Sequence, residues 1–156
     1  MTTKKMAIIA SKGTLDMAYP PFILASTAAA LGYEVQVFFT FYGLQLLRKD
    51  LSHVTLSPLA NPAMPMPVPM PVMMQILPGM ESVATLMMKN KLKQKGVATL
   101  EELRSLCMEA EVKFIACQMT MDLFDFAQSD FIEGIEYGGA ATFLGFAGDT
   151  DVCLFV

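Results

Sequence analysis

Residues 114–122 read FIACQMTMD, and Cys117 stands where an apolar run ends and a helix-forming run begins. A thiol is a nucleophile only as its thiolate, so the surroundings of Cys117 decide between chemistry and packing. If the preceding run is a strand of a parallel sheet, the residue at its end faces the edge where α/β folds bind ligands. The N-terminus of a following helix would favour the thiolate, while Asp122 and Asp125 would oppose it. Lys12 would side with the helix if the loop after the first apolar run lies beside Cys117. The competing reading is an inert cysteine that serves as small apolar filler.

The other two cysteines rank lower. Cys107 falls on the predicted helix before this strand, towards the opposite end of the sheet. The two Cα atoms should therefore lie beyond the roughly 7 Å that an unstrained disulfide allows. Core packing is favoured for Cys107, with a resolving thiol that works across a subunit interface as the alternative. Cys153, inside VCLFV, reads as filler. The turn SKGTLD (11–16) follows a strand and precedes a helix, so the backbone of Lys12, Gly13 and Thr14 could hold a small oxyanion. It lacks the spacing of a P-loop or of GxGxxG, which makes a flavin or nucleotide reading remote, and no cofactor is expected. His53 reads as a loop residue. Eight of the fourteen methionines fall between Met64 and Met88. Thioethers can select Cu(I), but with no histidine or cysteine among them interface packing is favoured, and no metal site is expected.

The elements that would position these residues follow from pattern. KMAIIA (5–10) is a short apolar run that reads as a buried strand, and residues 17–31 read as a helix closed by Gly32. Pro20 and Pro21 suit a first helical turn, which puts the regular helix close to them. EVQVFFT (34–40) alternates as a strand, and residues 41–51 read as a short helix. After residue 98, Thr99 and Glu102 have capping-box spacing for a helix to about Ala110. A strand over 112–116, a short helix over 119–127, a tightly packed helix within GGAATFLGFAG (138–148) and a last buried strand, VCLFV (152–156), complete the pattern. The expected fold is one three-layer α/β domain over 1–156, with a mostly parallel sheet flanked by helices. Residues 54–96 are read as an insertion within it. Its first part, from Val54 to Met80, carries no charged residue, and its centre MPMPVPMPVMM (64–74) alternates proline. That alternation forbids a membrane-spanning helix and favours an extended apolar arm. Residues 81–95 then form a helix that ends in Lys89, Lys91, Lys93 and Lys95. These lysines read as a solvated helix end, although a basic helix beside an apolar arm could also make peripheral contact with an anionic membrane.

Bulk properties exclude several classes. Hydrophobic residues make up 54% and charged residues 17%, with mean hydropathy +0.47, so disorder is excluded and part of the apolar surplus is assigned to subunit contacts. A formal net charge of −4 offers no basic field for nucleic acid. Three cysteines without CxxC spacing fit a reducing cytoplasm better than a disulfide scaffold, and the N-terminal apolar run is too short for a signal peptide.

Taken together, IASKGTLDMAYPPFILASTAAALGYEVQVFFTFYGLQLL, GVATLEEL, FIACQMTMDLF and EYGGAATFL closely resemble the DsrE/DsrF-like sulfur-transfer family, in its longer branch often labelled "predicted peroxiredoxin". The resemblance spans nearly the whole chain. It implies an α/β homo-oligomer and a cysteine that carries sulfane sulfur as a persulfide or thiosulfonate, a sulfurtransferase-like relay. The family's carrier cysteine matches Cys117, next to Gln118, and a second thiol of some members matches Cys107. The family's glycine-rich stretch falls on Tyr137–Phe143, which places Gly138 and Gly139 near the same pocket. The implied partners are TusA-like sulfur carriers and rhodanese-like donors. No Pro-x-x-x-Thr-x-x-Cys motif precedes Cys117, so the peroxiredoxin label gains no support. A non-catalytic assembly or membrane-contact module is the main alternative, and a Cu(I) binder the lesser one.

Overall fold

The computed structural model describes residues 2–56 and 71–156. Five parallel strands form one sheet in the order β4-β3-β2-β1-β5. They are β1 (Lys5–Ala10), β2 (Glu34–Phe39), β3 (Lys113–Cys117), β4 (Glu136–Gly138) and β5 (Val152–Phe155). The inner strands are apolar along nearly their whole length, as strands covered on both faces must be. One face is packed by α1 (Leu15–Ala30) and α4 (Leu100–Glu109), which bury Phe22, Ala25 and Cys107 against Val37, Phe39 and Phe114. The other face carries a smaller cluster, Ala7, Phe38, Ile115 and Cys117, beneath Phe143 of α6 (Ala140–Ala147). Three layers of α/β architecture result, as the pattern implied, with one face covered far more thickly than the other.

Several elements differ from expectation for identifiable reasons. Helix α1 begins at Leu15 and takes Pro20 and Pro21 into its second turn rather than its first. Leu15, Ala18, Phe22 and Ala25 are all buried on one face, and that packing holds the helix despite two missing donors. Residues 41–47 wind as a 3₁₀ turn rather than a longer α-helix. The three-residue strand β4 is too short to leave a periodic signal. The capping box of α4 forms as its spacing predicts, with Thr99 and Glu102 exchanging backbone bonds at 2.7 and 3.2 Å. Most of the proline-alternating arm lies outside the described residues. Its last part, α2 (Val72–Gln75), is one helical turn launched from Pro71, where an extended arm is expected. No proline interrupts those four residues, so the turn can close. The basic helix is α3 (Met80–Gln94), anchored by Thr85, whose hydroxyl accepts from Leu56 N–H at 2.8 Å, and by a Thr55–Glu81 hydrogen bond. No described helix is long and apolar enough to cross a membrane.

Cys153 is exposed rather than buried filler. Strand β5 is an edge, and its Cys153 and Phe155 lie on the thinly covered face beside Ala7 and Ile9.

Close backbone approach fixes the sheet's carboxyl edge. A Cβ at Gly43 would collide with the Ala10 carbonyl, and one at Gly13 with the Tyr42 carbonyl. Gly43→Ala should therefore force the β1 and β2 exits apart. The expected loss is about 1–3 kcal/mol, read as a fall in Tm of roughly 2–4 °C per kcal/mol for a chain of this size. An unchanged melting temperature would contradict the close packing of this corner.

Candidate functional site

Cys117 is the last residue of β3 and the cap of α5 (Gln118–Leu123). Its side chain lies on the α6 side of the sheet, and the residue is only 4% exposed. Register sets its neighbours. Gly138 of β4 pairs directly with Cys117 on one side, and Thr40 follows the end of β2 on the other.

The corner after β2 is unusual. Phe41 adopts φ +48°, one of three non-glycine residues with positive φ among those described. Such a conformation costs a bulky residue about 1–3 kcal/mol and persists only where the surroundings hold it. Here it aims the Phe41 N–H at Thr120 Oγ1, 3.1 Å away. Thr120 is fully buried, and its hydroxyl also meets Thr40 Oγ1 at 3.3 Å. Above this corner, Tyr42 stacks on Phe124 at 6.0 Å, and Phe41, Tyr42, Met119 and Leu123 form an exposed apolar rim.

Two opposed influences act on the Cys117 thiol. Burial pushes its pKa up, because it disfavours the charged form. Hydrogen bonds from the Thr120 hydroxyl and N–H, the Thr40 hydroxyl and the Met119 N–H push it down and prevail. The net pKa lies below the ordinary thiol value, which raises the thiolate fraction near neutral pH. Cys107 shows the opposite balance. It is fully buried between α4 and α1, its Sγ donates to the Phe22 carbonyl at 3.4 Å, and burial pushes its pKa up to about 12. It sits in the α1–α4 core cluster, on the other side of the sheet from Cys117.

The remaining expected site residues are placed as follows. Lys12 is exposed, Gly13 packs on Tyr42, and Thr14 caps α1 without a side-chain bond. Lys12 is not among the strongest influences on the Cys117 thiol. Gln118 is turned to solvent and donates to Asp122 at 2.9 Å. Gly138 lies beside Cys117, and open space surrounds the Cβ direction of Gly139. Thr40 and Thr120 were not singled out in the sequence. Thr120 lies inside the quoted motif, but nothing in the spacing couples it to a residue eighty positions earlier. A cavity of about 640 Å³ floored by Leu15, Leu51, Val54 and Leu100 opens on the α1–α4 face, and no thiol lines it.

The DsrE/DsrF/DrsH-like family matches residues 2–155. The chain belongs to this family. It is 64% identical over 160 residues to the sulfur carrier protein DsrE2 of Allochromatium vinosum, with all of both chains covered. It is 32% identical to the uncharacterized protein YrkE of Bacillus subtilis, over 99% of this chain and 98% of that one. The crystal structure of the ychN protein from E. coli shares the fold, with TM-score 0.57 and 9% identity over 99% of this chain and 100% of that chain.

The contrast between the cysteines can be read directly. In a Cys153→Ser background, iodoacetamide should label Cys117 in the folded protein, with a rate midpoint below the roughly 8.5 of a free thiol. Cys107 should react only after denaturation. Labelling of Cys107 as fast as that of Cys117 in the native protein would contradict this burial.

Proposed function

We propose that this chain is a sulfur carrier that holds sulfane sulfur on Cys117. The observation that carries the reading is the convergence of hydroxyl and amide donors on a shielded strand-end thiol, which favours its thiolate. Full-length similarity to a protein named as a sulfur carrier supports it.

In the proposed loading step, Cys117 thiolate attacks the outer sulfur of a donor persulfide. A bond forms between Cys117 Sγ and that sulfur, the donor's S–S bond breaks, and the donor leaves as a thiolate. Cys117 then carries a persulfide anion, and no external oxidant or reductant is needed. With tetrathionate, attack on an inner sulfur would expel thiosulfate and leave a thiosulfonate on Cys117. Discharge is the same exchange in reverse: an acceptor thiolate takes the outer sulfur and Cys117 leaves as thiolate. Thr142 fills the space over Gly138, and the open space at Gly139 next to it would leave room for the added sulfur. Lys12 and the turn through Gly13 and Thr14 would add positive charge and donors at the same sheet edge, and Gln118 would line the entrance. Cys107 is assigned to packing.

The donor is proposed to be rhodanese-like and the acceptor a small TusA-like carrier, with the apolar rim at Phe41, Tyr42, Met119 and Leu123 as their docking face. The setting is the cytoplasm and the assembly a homo-oligomer, which would cover part of the exposed apolar surface. A second reading, an assembly or membrane-contact module, draws on the exposed Val72, Met73, Ile76 and Leu77 of the α2 region next to the lysines of α3. It requires no reactivity at Cys117.

Intact-protein mass spectrometry after exposure to polysulfide, and separately to tetrathionate, distinguishes the two. In a Cys153→Ser background a reductant-labile sulfur adduct should form, persist in Cys107→Ala and vanish in Cys117→Ala. Loading that survives Cys117→Ala would sink the carrier assignment, and no adduct on any variant would favour the assembly reading.

A further inference from the structure

The hydroxyls around Cys117 suggest a division of labour between taking sulfur up and giving it away. A threonine hydroxyl has one hydrogen to donate and two lone pairs to accept with. The Phe41 N–H, fixed by the backbone, occupies a lone pair of Thr120 Oγ1 at 3.1 Å. The Thr120 hydrogen is thereby directed to Thr40 Oγ1, 3.3 Å away, or to Cys117. Thr40 likewise has one hydrogen and the same two choices. When the sulfur is anionic both hydrogens can turn to it, and when it is protonated they can pair with each other, by hydroxyl rotation alone.

We propose that Thr40 and Thr120 hold the Cys117 sulfur as a good leaving group, so that they serve discharge of the carried sulfur more than its uptake. In the loaded state the negative charge resides on the outer sulfur, about 2.05 Å further out. On discharge it returns to Sγ, beside the paired Thr40 and Thr120 hydroxyls that favour its anion. Donors that stabilise a thiolate speed its departure, yet they lower its nucleophilicity for attack. The two steps should therefore respond differently to removal of a hydroxyl. Nearby charges do not reproduce this arrangement. Lys113 pairs with Glu136 at 3.4 Å, Asp122 accepts from Gln118, and Lys12 and Asp125 are exposed. The half-buried Tyr137 pairs with Ala116, which belongs to the core on the other face.

The inference rests on Cys117 being the reacting thiol, and its test is built to stand apart from sulfur loading. In a Cys153→Ser background, methyl methanethiosulfonate would place a methylthio group on Cys117, releasing methanesulfinate. A small thiol would then remove it by attack on the methyl-bearing sulfur, expelling Cys117 thiolate. Thr120→Val, Thr40→Val and Thr120→Ser would be compared with the parent, their folding checked by melting temperature. The alkylation midpoint should rise in both valine variants. At a pH above all midpoints, discharge should slow by about three- to tenfold, as loss of one hydrogen bond implies, while uptake is unchanged or faster. Thr120→Ser should restore the parent behaviour. Equal slowing of both steps without rescue by serine, or unaltered midpoint and discharge, would overturn the proposal. Failure of polysulfide to load Cys117 would remove the sulfur-carrier reading and leave this result standing.

Discussion

The site depends on the corner from Thr40 to Gly43. Gly43 must lie against the Ala10 carbonyl for β1 and β2 to leave the sheet side by side, and that approach excludes any side chain. The same corner holds Phe41 in a left-handed conformation and turns its N–H into the protein, where Thr120 receives it. Thr120 belongs to the segment that follows Cys117. One hydrogen bond from a backbone N–H to a buried hydroxyl thus ties the exit of β2 to the exit of β3, and the same hydroxyl favours the Cys117 thiolate. The unfavourable φ at Phe41 and the buried polar group at Thr120 offset one another, since each supplies what the other lacks.

Cys107 and Cys117 show how little the residue type decides. Both are nearly inaccessible, and burial raises the pKa of each. At Cys107 the sulfur gives its hydrogen to the Phe22 carbonyl, an acceptor that stabilises the neutral thiol. At Cys117 the neighbours are donors, and donors stabilise the thiolate. Burial prevails at Cys107, where one backbone donor at Ser26 does not offset it, whereas at Cys117 the hydroxyl and amide donors outweigh burial. The Cys117 thiolate is thus favoured by hydrogen bonds, with Lys12 exposed and not among the strongest influences.

The sheet and its helices were legible because their signals are local. KMAIIA and KFIAC carry short apolar runs, EVQVFF alternates into aromatic residues, and Thr99 with Glu102 announces a helix start that forms as written. Placing Cys117 at the end of β3 needed only that reading. The rest of the site was hidden for a physical reason. Thr40 and Thr120 meet through parallel pairing of β2 with β3, and no short-range pattern records which strands will be neighbours. Strand β4 escaped notice because three residues cannot show a period, yet it is what brings Gly138 beside Cys117. Cys153 was misread because an apolar five-residue run looks the same at the centre of a sheet and at its edge.

Topology adds a last constraint. Sheets of this kind tend to bind ligands where the strand order reverses, and here it reverses between β1 and β5, two strands from β3. At that point the donors of Ser11 and Leu15 are already taken. Ser11 gives both its N–H and its hydroxyl to the Val156 carbonyl at 2.9 Å, and Leu15 N–H is held by the Thr55 carbonyl. Ser11 thus closes the crevice onto the end of β5, and Gly13 packs against the Tyr42 carbonyl. At the end of β3 the balance is the reverse: the hydroxyls of Thr40 and Thr120 and two backbone amides converge on one sulfur. Donors to a thiol therefore gather two strands along the sheet edge from the place the topology favours.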